Sequence, residues 1–289
     1  MFKYKVKDIL KATKGKLIKG DLNQVLKGVS TDTRKLENED IFIALQGENF
    51  DAHNFIDDQL AKEVKAIIVQ KEINVDCENI ILVENTTKAL QDMAKYHRDN
   101  FKNVKVIGIT GSSGKTSTKD ILYELLNIKY KVKKNEGNLN NHIGVPLTLF
   151  RLTGKEDFFI VEMGMSQKGE ISRLAEIADP QLAIITNIGR AHIEFFNSVE
   201  DIAKAKGELI EALDKDDIAV LNYDNEYTSI LKDLAKQGLK IKYFGFNNGS
   251  DYYIENYKYT DSGMEFKIGT KNGEYNLKTN LFGEHNLYN

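Results

Sequence analysis

A chain of 289 residues suits about two domains of roughly 100 to 200 residues each and is long enough to bury a sizeable core. Its 40 Lys and Arg against 43 Asp and Glu leave a formal net charge of -3, which excludes the broad basic field of a nucleic-acid or anionic-membrane binder. The single cysteine, Cys77, excludes an internal disulfide framework and a cysteine-built zinc site; it reads as a small semi-buried residue in a reducing compartment.

The first residues, Met1 to Asp8, carry no apolar leader-like run, and no apolar run approaches about 18 residues. A soluble, cytoplasmic protein is expected. From Gly28 to about Asn100, apolar strands over 41–45, 66–69 and 80–83 alternate with helical text over 54–65 and 86–98, the pattern of a small α/β domain. Ahead of the first strand stand Ser30, Thr31, Asp32, Thr33 and Arg34. They read equally as a turn with a surface ion pair or as an anion site, because Arg offers a planar fork and the hydroxyls complete it.

Polar residues 100–103 suggest a domain boundary, giving domains 1–101 and 102–289. The second opens on an apolar run, 104–109, that breaks into Thr110-Gly111-Ser112-Ser113-Gly114-Lys115-Thr116 before a helix over 115–127. This reads as a phosphate cradle. Gly111 and Gly114 permit close backbone approach, successive N–H groups can face phosphate, Lys115 adds a point charge and Thr116 a hydroxyl for Mg2+. The strict P-loop spacing fails, because Ile109 stands where its first glycine would be.

Further strands are expected over 158–161, 182–185, 218–221 and 241–244, with helices over 169–178, 198–213 and 227–237 between them. Strands apolar on both faces and joined by helices imply a doubly wound, mostly parallel sheet whose ligands gather at the C-terminal strand ends. Three short runs after Asp251, separated by Asp-Ser-Gly and Lys-Asn-Gly turns, imply an antiparallel ribbon. At the strand ends, Glu162 reads as a Mg2+ ligand or as a carboxylate favouring a helix N-terminus. His192, taken alone, reads as a loop histidine, and Lys206 as a solvated helix lysine. The asparagine-rich stretch 135–147, closed by Gly144 and Pro146, is an ordered loop of amide donors and acceptors, which loop chemistry alone could explain.

Together these motifs resemble the Mur ligase family. The resemblance covers Ser30 to Arg34 with Gly47-Glu48-Asn49-Phe50-Asp51, then Thr110 to Thr116, Gly137 to Leu147, Glu162-Met163-Gly164, Gly169-Glu170-Ile171, Thr186 to Glu194, Ala205-Lys206-Gly207-Glu208 and Gly283-Glu284-His285-Asn286. Thr-Gly-x-x-Gly-Lys-Thr marks the whole family, whereas Gly-Asn-Leu-Asn-Asn-x-Ile-Gly-Val-Pro-Leu-Thr and Ala-His-x-Glu point to its dipeptide-adding branch. Two positions depart from it: Asn135 stands where threonine is common, and Met165-Ser166 replaces Ala-Asn.

The resemblance implies an ATP-dependent, Mg2+-requiring ligase of peptidoglycan synthesis that joins D-alanyl-D-alanine to UDP-N-acetylmuramoyl-tripeptide through an acyl phosphate. It implies that Lys115 and the loop amides hold phosphates, that Thr116 and Glu162 bind one Mg2+, and that His192 and a carbamylated Lys206 bind a second. Asn286 and Asn289 would meet the adenine nucleotide, Asn138 would lie near the phosphates and substrate, and Ser30 to Arg34 would receive the UDP moiety. A monomer without nucleic-acid partners or membrane insertion is expected. Relative to the family, the chain stops short of a third, C-terminal domain, so these residues alone are expected to bind the UDP-precursor, and nucleotide with it, without ligating. The alternatives are a third-residue-adding, folylpolyglutamate or cyanophycin-type ligase, or a nucleotide-binding fragment without ligase activity. An ordinary P-loop kinase is disfavoured by the Ile109 spacing.

Overall fold

A computed structural model describes residues 2–36 and 40–289. The chain divides into two compact units, one of residues 1–103 with 136–155, the other of residues 104–135 with 156–289. Residues 136–155 thus pack with the first unit although they fall inside the second unit's stretch of sequence.

In the first unit, β1 (Lys3–Lys5), α1 (Val6–Thr13), β2 (Lys16–Lys19), β3 (Val25–Lys27) and β4 (Ile41–Ile43) lead to α2 (Asp58–Glu63), β5 (Ala66–Val69), β6 (Asn79–Leu82) and α3 (Thr86–Asp99). β4, β5 and β6 are parallel neighbours, β2 adds antiparallel to β6, and β1 pairs with β3 as a separate ribbon. The β-branched runs in β4 and β5 are buried on both faces, as parallel strands covered by helices must be. Phe42, Leu60, Ile67, Cys77 and Ile80 share their core, so the cysteine is fully buried.

The helix expected over 54–65 is instead a 3-10 turn (Ala52–Phe55) and then α2. The chain is extended at Ile56, and the Asp57 carboxylate starts α2 afresh by accepting the Leu60 N–H.

The second unit begins with β7 (Lys105–Thr110), α4 (Lys115–Asn127) and β8 (Val132–Lys134); α5 (Gly144–Leu149) then returns to the first unit. There follow β9 (Phe158–Glu162), α6 (Glu170–Ala178), β10 (Leu182–Ile185), α7 (Val199–Glu211), β11 (Ile218–Asn222), α8 (Thr228–Asp233), β12 (Lys240–Gly245), β13 (Tyr252–Thr260), β14 (Gly263–Thr270), β15 (Gly273–Thr279) and α9 (His285–Tyr288). These strands form one nine-stranded sheet in the order β8-β9-β7-β10-β11-β12-β13-β14-β15. It is parallel from β8 to β13 and antiparallel beyond.

The antiparallel ribbon anticipated near the end is present as β13-β14-β15, and it continues the main sheet, because β13 joins β12 through Phe244–Tyr252 and Gly245–Tyr253 pairs. From β7 the chain moves outward to β8 and returns through β9, then crosses to β10 on the other side. This reversal opens a crevice at the C-terminal end of β7, where ligands of such sheets bind.

Two glycines make the β7–α4 turn possible. Gly114, at φ 78°, caps α4 in the left-handed region, and a Cβ there would stand 2.3 Å from Asn289 Oδ1. A Cβ on Gly111 would meet Thr186 Oγ1 at 1.9 Å.

In the first unit Phe2, 1% exposed, packs its ring against Tyr4, Phe150 and His97 at 4.7, 5.0 and 5.6 Å between centroids. Its N–H donates to Phe150 O, tying the N-terminal arm to the end of α5. Phe2→Ala should cost about 3 kcal/mol of stability, as other buried Phe truncations do. Urea unfolding followed by circular dichroism measures it; a loss below about 1 kcal/mol would show that the arm contributes little to the core.

Candidate functional site

The crevice is lined by backbone before it is lined by side chains. The first-turn N–H groups of α4 and its cap, Gly114 to Ser117, have no hydrogen-bond partner among the described residues. A helix start leaves such donors free, and the helix dipole adds positive potential, so the turn favours an anion. Beside it a cavity of about 470 Å3 is lined by Ser113, Gly114, Ser117, Asn187, Asn286 and Asn289, among others. The Asn289 amide donates to Asn286 Oδ1 at 3.1 Å, and Asn286 donates in turn to Phe282 O. Both asparagines expected to meet a nucleotide thus stand with the phosphate loop.

Lys115 bends back so that its Nζ donates to Gly111 O at 2.8 Å. Burial pushes its pKa down, opposed by the Glu162 charge. Thr110 is buried, and its hydroxyl finds no partner among the described residues. Thr116 Oγ1 donates to Glu162 Oε2 at 3.0 Å, bringing together the two oxygens proposed for one metal. Such hard donors, one carboxylate and one hydroxyl beside open phosphate positions, suit Mg2+, which keeps phosphate and water as its remaining ligands.

The same Glu162 oxygen takes an ion pair from Lys119 Nζ at 3.1 Å, with both side chains 2% exposed. Lys119 went unnoticed in the sequence. It lies one turn beyond Lys115 and so on the same helix face, but that spacing alone describes an ordinary helix lysine. The Glu162 backbone is fixed too. Asn135, fully buried, accepts the Glu162 N–H with Oδ1 at 2.9 Å and donates Nδ2 to Glu162 O at 3.2 Å. The departure noted at Asn135 therefore lies just past β8 and braces the end of β9, the strand that carries the carboxylate.

Lys206, on α7, is 1% exposed rather than solvated. Burial, and then the Lys115 charge, lower its pKa from the ordinary 10.5 to about 7. Glu208, also in that motif, accepts the Gly169 and Ser172 N–H groups at 2.8 and 2.9 Å and so caps α6. His192 lies on an exposed turn after β10, at φ 64° in the left-handed region. Among the described residues no three His, Cys, Asp or Glu side chains converge as a metal cage.

In the first unit, Ser30 to Arg34 form a tight turn. Arg34 is exposed and held by Asp32 through two bonds of 2.9 Å, which keep the Asp32 carboxyl down at about 2. The ion pair of the simpler reading is therefore present. It borders a cavity of about 460 Å3 whose wall includes Phe50 and Phe55, both 56% exposed and stacked at 5.4 Å. Asn138 is exposed on the loop before α5, in the same unit. Its neighbour Asn141 accepts the Ile143 and Gly144 N–H groups, so part of the asparagine run serves the loop itself.

With this geometry in view, comparison with known proteins is decisive at the level of family. Residues 109–289 match the Mur ligase middle domain. The chain belongs to the Mur ligase family. It is 38% identical, along its whole length, to the Bacillus subtilis protein named UDP-N-acetylmuramoyl-tripeptide--D-alanyl-D-alanine ligase, and spans 62% of that relative. The fold superposes on MurF from Acinetobacter baumannii with a TM-score of 0.92 at 31% identity, covering all of this chain and 63% of that one. A Thermotoga maritima MurF ligase in complex with ADP gives a TM-score of 0.82 at 31% identity, over 91% of this Mur ligase chain and 60% of the other. Among the described residues no helix is long and apolar enough to cross a membrane.

Two outcomes are expected here. Lys119→Met should cost about 3 kcal/mol because it removes the ion-pair partner of the buried Glu162 carboxylate, and Lys119→Met with Glu162→Gln should recover much of that loss in urea unfolding. The second concerns pH. Between about pH 7 and the ordinary lysine range, the unfolded chain holds a proton that native Lys206 has lost, so this group makes stability rise with pH. Lys206→Met should flatten the rise, measured as unfolding free energy at about pH 7 and about pH 9 for both proteins.

Proposed function

We propose that this chain serves an ATP-dependent amide-forming ligase of peptidoglycan synthesis, which joins D-alanyl-D-alanine to UDP-N-acetylmuramoyl-tripeptide. The observation that carries this reading is the free amide turn of α4 with Lys115 beside the Thr116–Glu162 oxygen pair, in a chain 38% identical throughout to a ligase of that name. The ADP in the Thermotoga relative supports the nucleotide half. The cavity at Thr31 to Arg34, with its stacked Phe50 and Phe55, supports a substrate carrying a flat base and phosphates.

A carboxylate is a poor electrophile, so the peptide's terminal carboxylate oxygen first attacks the γ-phosphorus of ATP, giving an acyl phosphate and ADP. The amine of D-alanyl-D-alanine then attacks the acyl carbon; the C–O bond to phosphate breaks, phosphate leaves and the amine gives up a proton. The first step sets two anions against each other. Lys115 and the α4 amides offset that repulsion by gripping the phosphates where charge develops.

Thr116 and Glu162 would hold one Mg2+, which when bound supplies further positive charge to the phosphates. His192 and Lys206 would serve a second. Lys206 suits the role through its lowered pKa: a neutral amine can attack CO2 and lose a proton, leaving a carbamate where a cation stood. Asn286 and Asn289 would face the adenosine, Asn138 the phosphates and substrate. The reading includes a cytoplasmic, monomeric protein.

Lys115→Ala should abolish measurable ADP binding in calorimetry while leaving the circular dichroism spectrum unchanged, since it removes the loop's own charge from the anion. Unchanged affinity would make the loop structural. Titration with UDP-N-acetylmuramoyl-tripeptide should show binding, and labelled bicarbonate should give a carbamate carbon signal in NMR that Lys206→Ala removes. Failure to bind the UDP-tripeptide in preference to other UDP-sugars would overturn the substrate assignment.

A further inference from the structure

The first half of the phosphate loop is held from outside. Asn187, just past β10, accepts the Ser112 and Ser113 N–H groups on Oδ1 at 3.1 and 2.9 Å. Its Nδ2 donates to Ser113 Oγ at 2.6 Å, and its backbone carbonyl accepts the Ser112 N–H again at 3.0 Å. Neighbours complete the contact. Thr186 Oγ1 donates to Ser113 O at 2.6 Å, and the Ser112 hydroxyl donates to Gly189 O and accepts the Gly189 N–H, at 3.1 and 2.8 Å.

Two consequences follow. An amide oxygen that takes two successive N–H groups leaves neither for phosphate, so the loop offers its second half, Gly114 to Ser117, whose donors have no partner among the described residues. Asn187 itself lines the 470 Å3 cavity beside those donors. The loop and the 186–189 turn also share one hydrogen-bonded body, and three residues on the same turn carries His192 in its left-handed conformation. Restricting one side of such a body restricts the other.

We propose that Asn187 is a positioning residue for nucleotide: it fixes Ser112 and Ser113 so that the Gly114 to Ser117 amides face phosphate, and it transmits phosphate occupancy to the 188–196 turn that bears His192. The proposal rests on the nucleotide reading above and adds the residue that couples its two halves. The Asn side chain suits this because one planar group presents an acceptor to two N–H groups and a donor to the Ser113 hydroxyl at once.

The test combines ADP calorimetry with amide hydrogen exchange on the full chain. The wild type should bind ADP and gain protection over 188–196. Asn187→Ala should bind ADP about tenfold more weakly, the scale of one or two lost hydrogen bonds, and ADP should no longer protect 188–196. Asn187→Asp keeps the double acceptor but sets a negative charge near phosphate, so it should weaken ADP while preserving the protection. If Asn187→Ala does not fold, Asn187→Asp carries the test: weaker ADP with protection retained supports the role, and wild-type affinity overturns it. Wild-type affinity in Asn187→Ala, or full protection of 188–196 there, also overturns it. A wild type that binds no ADP removes the nucleotide reading and this proposal together, which distinguishes that failure from a wild type that binds and a variant that does not differ.

Discussion

The buried carboxylate of Glu162 is the constraint around which the second unit is arranged. A charge at 2% exposure is tolerated only when paired and hydrogen-bonded, and here the sequence supplies both conditions from α4 and from the segment after β8. Lys119 neutralises it, Thr116 donates to it, and Asn135 pins its backbone on both sides. These contacts fix the start of α4 against the end of β9. The direction of the α4 amides, and so the position of the anion site, follows from that.

The local charge is lopsided. Lys115 and Lys119 stand near one carboxylate and Lys206 lies within reach of the Lys115 charge, and one response is visible in Lys206, which sheds its proton at about 7 because burial and the Lys115 charge both disfavour a second ammonium. Lys115 is lowered for the same first reason. A polyphosphate entering this crevice would meet cations in a partly dehydrated setting where each counts for more than at the surface. Chain-wide charge says nothing of this: a net charge of -3 coexists with a cationic pocket because ligand charge is met locally.

How much of this could be read from the chain depended on whether the signal was local. The alternation of β-branched runs with amphipathic text gave the parallel sheet, and Gly-x-x-Gly-Lys-Thr gave the loop, because both are written in adjacent residues. The continuity of the β13–β15 ribbon with the main sheet was not legible, since it rests on two residue pairs between β12 and β13. Short elements before Gly28, β8 and α5 also escaped, being only three to eight residues long. In the site, Lys119, Asn135, Asn187 and Glu208 act through partners between 27 and 75 residues away, or, for Lys119, 43 positions along the chain at Glu162. No window of sequence contains such pairs. Lys206 was found by resemblance alone; its burial, which depends on the folded sheet, distinguishes it from exposed Lys204, the other lysine of α7.

The loop's two halves divide the work of its backbone. Ser112 and Ser113 turn their N–H groups toward Asn187, while Gly114 to Ser117 leave theirs open, and the two glycines mark where side chains would obstruct: Gly111 against Thr186 and Gly114 against Asn289. A phosphate loop whose every amide faced outward would have to be ordered by its ligand, at an entropic cost to affinity. Holding half of it against a neighbouring strand end removes much of that cost in advance. It also explains why the strand beside β7 is followed at once by Thr186-Asn187 rather than by apolar residues: the turn after β10 is the other jaw of the loop, and His192, held in a conformation that non-glycine residues adopt at a cost of about 1 kcal/mol or more, stands on that jaw.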